Sequence, residues 1–224
     1  MAAHDPRIVA AIVVAAGSGS RLGADVAKAF VEIGARTVLE HAVGRLAGHP
    51  RITHVVVAAP AADLDRAAVL APAATVVAGG ATRQRSVQLA LAAVPADAGL
   101  VLVHDAARAF VPAEVIDRVL TALETADGAV PTRPVSDTIR TVDAAGELGG
   151  LIDRTGLLAM QTPQGFRRDI LVQAHARAQG ADATDDVALV EAIGGHVVAV
   201  AGDERAFKIT VPLDLALART LVDG

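Results

Sequence analysis

The chain of 224 residues contains no cysteine, tryptophan or tyrosine, and only four phenylalanines. Without thiols it can form no disulfide, no thiolate metal site and no cysteine nucleophile. Without broad aromatic platforms for stacking, any nucleobase it binds is read by backbone groups and small side chains. An excess of positive charge is missing too. The chain has 20 Lys and Arg against 25 Asp and Glu, a net charge of −5, which argues against bulk nucleic-acid binding, where a basic face is expected. Although 53% of residues are hydrophobic, no apolar run approaches the ~20 residues that span a bilayer. Met1 to Arg7 lacks the basic start and long apolar centre of a secretion signal. The expectation is a cytoplasmic protein with neither nucleic acid nor membrane as partner, folded as a single domain over 1–224.

What is present is alternation. Apolar stretches of strand length (Ile8 to Ala15, Ile52 to Ala58, Thr75 to Ala78, Leu100 to Val103, Val197 to Ala201) are interleaved with helical stripes. Val38, Leu39, Ala42, Val43 and Leu46 form one stripe; Val115, Ile116, Val119, Leu120 and Leu123 form another. Helices are also expected over Arg83–Val94, near Arg168–Gln179, over Asp185–Ile193 and from Leu213 onward. This pattern predicts an α/β fold: a Rossmann-like, mostly parallel sheet covered by helices on both faces. The alternation breaks between about Pro131 and Gly156. There, strands Thr138–Val142 and Leu148–Ile152 flank the turn chemistry of Asp143-Ala144-Ala145-Gly146. A two-stranded projection has little core of its own. The arm, at about 134–156, is therefore expected to pack on a second subunit.

The strongest chemical signal is the first strand-to-loop transition, Ala15-Ala16-Gly17-Ser18-Gly19-Ser20-Arg21-Leu22-Gly23, with Lys28 beyond it. Gly17 and Gly19 allow the backbone to approach a ligand without a Cβ between. Successive N–H groups in such a turn form a concave anion site, to which Arg21 and Lys28 add full charges. No Gly-Lys-Ser/Thr closes the loop as a Walker motif requires. The glycine spacing is one residue too long for a dinucleotide fingerprint, and the second strand leads into Ala59-Pro60 rather than an acid. The loop reads as a phosphate cradle.

Other polar residues fall at the carboxyl ends of expected strands, where α/β folds bind ligands. Gly79-Gly80 is followed by Thr82, Arg83 and Ser86 at a helix start. Leu100 to Val103 ends in His104-Asp105-Ala106-Ala107-Arg108. Asp105 either holds a hydrated Mg²⁺ against phosphates or caps the following turn and pairs with Arg108. His104 reads as a structural histidine. Lys208, in an apolar Phe207–Thr210 stretch expected to be a strand, is either an edge guard or an anion ligand. Arg154 and Thr162 carry the same ambiguity. Asp185-Asp186 reads as a helix N-cap with favourable dipole charge.

The ordered set Ala-Ala-Gly-x-Gly-x-Arg-Leu-Gly, Lys28, Gly79-Gly80-x-x-Arg83-x-x-Ser86, His104-Asp105-Ala106-Ala107-Arg108, Asp137-Thr138, Asp153-Arg154, Gln161-Thr162-Pro163-Gln164 and Lys208 resembles the 2-C-methyl-D-erythritol 4-phosphate cytidylyltransferases. The match runs from about Ile8 to Leu221. The resemblance implies a nucleotide-diphospho-sugar transferase type of fold and a homodimer joined through the β-arm. It also implies transfer of cytidylyl from CTP to a small phosphorylated polyol, with Mg²⁺ or another divalent cation. By the same resemblance Arg21, Lys28, Arg154 and Lys208 are catalytic. Ala15, Ala16, Gly17, Ser18, Gly19, Gly80, Arg83, Ser86 and Ala106 bind the nucleotide. Asp105, Arg108, Thr138, Arg154, Thr162 and Lys208 bind the second substrate, Asp105 also holding metal, with Thr138 and Arg154 reaching in from the partner. The chain departs from the pattern with Ala27 and Ala29 around Lys28, with Ala81 after the Gly-Gly pair, and with Ala109 where proline is usual. Alternative readings are another nucleotidyltransferase of this fold acting on a sugar or sugar phosphate, and a non-catalytic nucleotide-binding protein.

Overall fold

A computed structural model describes residues 5–17, 26–178, 183 and 185–223. In chain order, the described residues form β1 (Asp5–Val14), the hairpin β2 (Glu32–Ile33) and β3 (Arg36–Thr37), α1 (Val38–Ala47), β4 (Ile52–Ala59), α2 (Leu64–Leu70), β5 (Thr75–Ala78), α3 (Arg83–Leu91), β6 (Ala98–Asp105), α4 (Ala113–Ala122) and β7 (Gly128–Pro134). Next come β8 (Ile139–Val142), β9 (Leu148–Ile152), β10 (Leu158–Met160), β11 (Gln164–Arg167), α5 (Arg168–Arg177), α6 (Asp186–Ala192), β12 (Val197–Ala201) and α7 (Pro212–Asp223).

The period-2 geometry of β1 builds both halves of the core. Val9, Ala11 and Val13 point to one face, where they meet Leu39 and Leu46 of α1 and Val115 and Ile116 of α4. Ala10 and Ile12 point to the other, against Val87 and Ala90 of α3 and Leu171 and Ala174 of α5. Because helices cover both faces, the strand is apolar from Ile8 to Val14. Helix α1 begins at a capping box, in which Thr37 accepts from the Glu40 N–H and the Glu40 carboxylate accepts from the Thr37 N–H.

The sheet is mixed and mostly parallel. Strands β6, β1, β4 and β5 run parallel in that order, as their sequence alternation predicts. Beyond β6 the direction reverses: β11 lies antiparallel between β6 and β7. β12 pairs parallel with β7 over residues 128–132, while β10 and β11 together occupy the opposite edge of β7. The sequence pattern did not mark α2, β10 or β11, and it placed the break in alternation inside what is β7. Four-residue β11 is too short to show a period. The Phe207–Thr210 stretch is a second correction: it is an extended connection rather than a strand, fastened by Ile209 N–H to Ala107 O at 2.9 Å. The arm forms as expected. β8 and β9 make a separate antiparallel hairpin with Ile139 opposite Ile152.

Candidate functional site

Register aligns the carboxyl ends of the strands. Val14 pairs with Ala58 on one side and with Asp105 on the other, and Ala59 pairs with Ala78. A cleft of about 320 Å³ opens above these ends, lined by residues from the first loop, the start of α3, the end of β6, and Lys208. Its floor follows from hydrogen bonding between strand ends: Ala15 N–H donates to Ala58 O at 2.9 Å, Gly79 N–H to Ala59 O at 2.8 Å and Ala106 N–H to Val14 O at 3.1 Å.

Small residues shape the nucleotide-facing wall. A Cβ at Gly79 would collide with the Ala16 side chain, so only glycine lets the two loops approach. Thr82 caps α3 by accepting from Arg85 N–H at 3.1 Å. Ser86 Oγ donates to Thr82 O at 2.9 Å and accepts from Gly80 N–H at 3.0 Å, which fixes the turn before α3.

Charge in the cleft is lopsided. Lys28, Arg83 and Lys208 line it, with Asp105 as the one carboxylate among the described lining residues. Lys28 opens a single 3-10 turn, Lys28–Phe30, packed through buried Ala29 and Phe30, and its Nζ donates to Ile209 O at 3.0 Å. Lys208 Nζ lies 2.8 Å from Asp105 Oδ2, and Arg83 Nε lies 3.4 Å from Asp105 Oδ1. Burial raises the pKa of Asp105, but the charges of Lys208 and Arg83 outweigh it and hold the carboxyl well below the usual range.

Behind Asp105 lies a neutral relay. His104 is fully buried. Its Nε2 faces the Arg108 carbonyl at 3.1 Å, which can only accept, so Nε2 carries the hydrogen. Nδ1 then accepts from the Thr162 hydroxyl at 3.0 Å, and that hydroxyl in turn accepts from Asp105 N–H at 3.0 Å. Burial pushes the His104 imidazole down to about 4.

Of the residues singled out in the sequence, Ala15, Ala16, Gly17, Lys28, Gly80, Arg83, Ser86, Asp105, Ala106 and Lys208 all line the cleft. Ser18, Gly19 and Arg21 lie outside the described residues. Arg108, one of the expected substrate ligands, does not line the cleft. Its guanidinium donates to Ala206 O at 2.7 Å and Met160 O at 3.1 Å. Thr162, another, sits buried beneath Asp105 with its hydroxyl engaged. Thr138 and Arg154 are exposed at the open end of the β8–β9 hairpin and do not line the cleft of their own chain. Sequence reasoning missed the ion pair between Arg83 and Asp186, at 2.6 Å. The Asp-Asp pair signals a cap, and Asp185 does cap α6 by accepting from Ala188 N–H. Nothing local distinguishes its neighbour, which turns inward.

The sequence profile of the family described as "IspD: 2-C-methyl-D-erythritol 4-phosphate cytidylyltransferase" matches residues 9–223. The chain belongs to the IspD family. It is 48% identical over 217 residues to a 2-C-methyl-D-erythritol 4-phosphate cytidylyltransferase of Rhodococcus jostii, covering 96% of this chain and 95% of that one. To the enzyme of the same name from Saccharopolyspora erythraea it is 49% identical over 222 residues, covering 96% and 99%. Its fold resembles the crystal structure of the 2-C-methyl-D-erythritol 4-phosphate cytidylyltransferase of Thermus thermophilus. That comparison has a TM-score of 0.80 and 37% identity, and covers 97% of this chain and 100% of that chain. The family resemblance drawn from the motifs is thus confirmed along nearly the whole chain.

Proposed function

We propose that this IspD chain transfers the cytidylyl group from CTP to 2-C-methyl-D-erythritol 4-phosphate, giving 4-diphosphocytidyl-2-C-methyl-D-erythritol and pyrophosphate. The observation that carries the reading, beside the family, is the cation-rich cleft at the strand ends, where Lys28, Arg83 and Lys208 surround a floor of glycine and alanine.

The acceptor is a phosphomonoester whose second pKa lies near ~6, so at neutral pH it is largely a dianion. One of its oxygens forms a bond to the α-phosphorus of CTP. The bond from that phosphorus to the bridging oxygen breaks, and pyrophosphate departs in line with the electron pair. No proton need be removed, which is why a neutral His104 committed to structural hydrogen bonds is no obstacle. The difficulty is bringing two anions together. Lys28 sits where it can neutralise charge building on the transferring phosphoryl group, and Arg21, from the first loop, shares that task. Gly17, Ser18 and Gly19 wrap the triphosphate. Ala15, Ala16, Gly80, Ser86 and Ala106 contact the nucleoside through backbone and small side chains, as a chain without broad aromatics must, and Arg83 binds the nucleotide from the cleft wall. Lys208 releases Asp105 to take the acceptor phosphate, and Thr138 and Arg154 approach it from a partner subunit's arm. Thr162 and Arg108 act by holding Asp105 and the 207–209 segment in place.

Among the described residues, no three His, Cys, Asp or Glu gather into an all-protein metal cage. Mg²⁺ is typically held by one or two carboxylates plus substrate phosphates, and Asp105 at the cleft floor, with Oδ1 making only a long contact to Arg83, fits that donor set. Bound there, Mg²⁺ would neutralise charge on the triphosphate.

Pyrophosphate release measured across the four ribonucleoside triphosphates and a panel of acceptors tests the proposal. Turnover restricted to CTP with 2-C-methyl-D-erythritol 4-phosphate is expected. Preference for a sugar or sugar phosphate, or CTP binding without turnover on any acceptor, would overturn it.

A further inference from the structure

Asp186 takes no part in the steps above, yet it is one of the most deeply buried carboxylates in the chain, at 1% exposure. A buried charge is tolerated only when its oxygens are paired, and both are. Oδ1 accepts from His175 Nε2 at 2.8 Å, and Oδ2 accepts from Arg83 at 2.6 Å. His175, on α5, is itself 4% exposed. Burial alone would raise the Asp186 pKa, but the His175 hydrogen bond and the Arg83 charge hold it below the usual range.

Arg83 therefore stands between two carboxylates. Toward Asp186 it makes a short charge-assisted bond of 2.6 Å; toward Asp105 it makes a contact of 3.4 Å, at the limit of a hydrogen bond. The two contacts use different nitrogens of the guanidinium, Nη1 toward Asp186 and Nε toward Asp105. Asp105 Oδ2 is held closely by Lys208, at 2.8 Å, while its Oδ1 has only the long contact to Arg83.

We propose that Asp186, oriented by His175, is a positioning residue for nucleotide binding: it anchors Arg83 in the cleft wall and keeps that guanidinium from closing onto Asp105. The inference rests on the reading of the cleft as the CTP site. Losing the Asp186 charge frees Arg83 to form a full ion pair with Asp105, the other carboxylate it already touches. That pair removes Arg83 from the nucleotide and blocks Asp105.

Calorimetric titration of CTP with MgCl₂ into the parent chain, Asp186→Asn, Arg83→Gln and the double variant tests this. Asp186→Asn is expected to weaken CTP binding by about tenfold, and to change it less than about twofold when Arg83 is already Gln, because residues acting through one another are not additive. Because Asp105 is blocked in the same event, the KM for the acceptor should rise at least about threefold in the parent background and stay unchanged in the Arg83→Gln one. Equal weakening in both backgrounds, or none in the first, overturns the inference. Should Asp186→Asn fail to fold, His175→Gln decides instead: about threefold weaker CTP binding that vanishes in the Arg83→Gln background supports it, and an unchanged or background-independent affinity overturns it. A parent chain that binds no CTP would overturn the functional reading as well, whereas a binding parent with an insensitive position 186 overturns this inference alone.

Discussion

Lys28 shows how a single side chain is readied before substrate arrives. Its Nζ donates to the Ile209 carbonyl while the following Ala29 and Phe30 are packed in the core, so the ammonium is held at the cleft rather than sampling solvent. A preorganised donor in a water-poor site can contribute about 3–4 kcal/mol to a transition state. Lys28→Ala is therefore expected to lower kcat at least ~100-fold in a pyrophosphate-release assay, and near-normal turnover would remove Lys28 from the chemistry. His104 makes a different demand, on stability. Its folded pKa, about 4, lies below its ordinary 6.5, so the unfolded chain takes up the proton first as pH falls. The contribution is whole above pH ~6.5, is lost progressively on descent toward ~4, and levels off below. Urea titrations should record a loss on the order of 3 kcal/mol across that window. His104→Asn should flatten this slope by about one proton's worth, and an unchanged slope would place the titrating group elsewhere. Asp105 and Asp186 are depressed as well, and their stabilisation is lost at more acidic pH still.

Elements decide where these side chains stand. The turn that presents Lys28 begins at Ala27, with φ −56° and ψ 138°. A proline ring fixes φ near −65°, so Ala27 already adopts the backbone that proline prefers. Ala27→Pro is predicted to raise stability by about 0.4–1 kcal/mol through a less free unfolded chain, visible as a higher melting temperature with kcat unchanged; a lower melting temperature would show that position 26 or the ring is obstructed. In the core, β11 packs so closely on α4 that a Cβ at Gly165 would come within 2.9 Å of Leu123 and 3.0 Å of Leu102, and closer still to Val119 at 2.5 Å. Gly165→Ala should cost about 1–3 kcal/mol by overpacking, read by chemical denaturation, and a neutral result would mean that α4 yields.

At the scale of the whole molecule, the β8–β9 hairpin is the unfinished part. Val142, Leu148 and Leu151 are 63%, 72% and 68% exposed on a hairpin that pairs with no other strand among the described residues. Apolar surface on a narrow projection calls for a covering partner, and a second copy of the chain would both cover it and bring Thr138 and Arg154 to a cleft they do not reach at home. On the proposed dimer, sedimentation velocity should find the parent chain as a dimer and Leu151→Asp shifted toward monomer. The substitution should also raise the KM for the acceptor more than that for CTP. A variant that stays dimeric with unaltered kinetics would sink the shared-site arrangement. No helix among the described residues is long and apolar enough to cross a membrane.

What the sequence determined by itself follows from short-range rules. The continuous apolar strands β1, β4 and β6, the stripes of α1 and α4, and the hairpin turn at Asp143–Gly146 are set by period and by residues that favour turns. The cleft positions of Gly17, Lys28, Gly80 and Asp105 were legible because their sequence signals are local in the chain. Only the tertiary structure decided the rest. The antiparallel insertion of β11, the irregular path of Phe207–Thr210, the bonds from Arg108 to Ala206 and from Asp105 N–H to Thr162, and the tie from Arg83 to Asp186 all join residues distant in sequence. Their partners are set by which surfaces and charges the packed core brings within reach, and a buried charge takes whatever counter-charge that packing supplies.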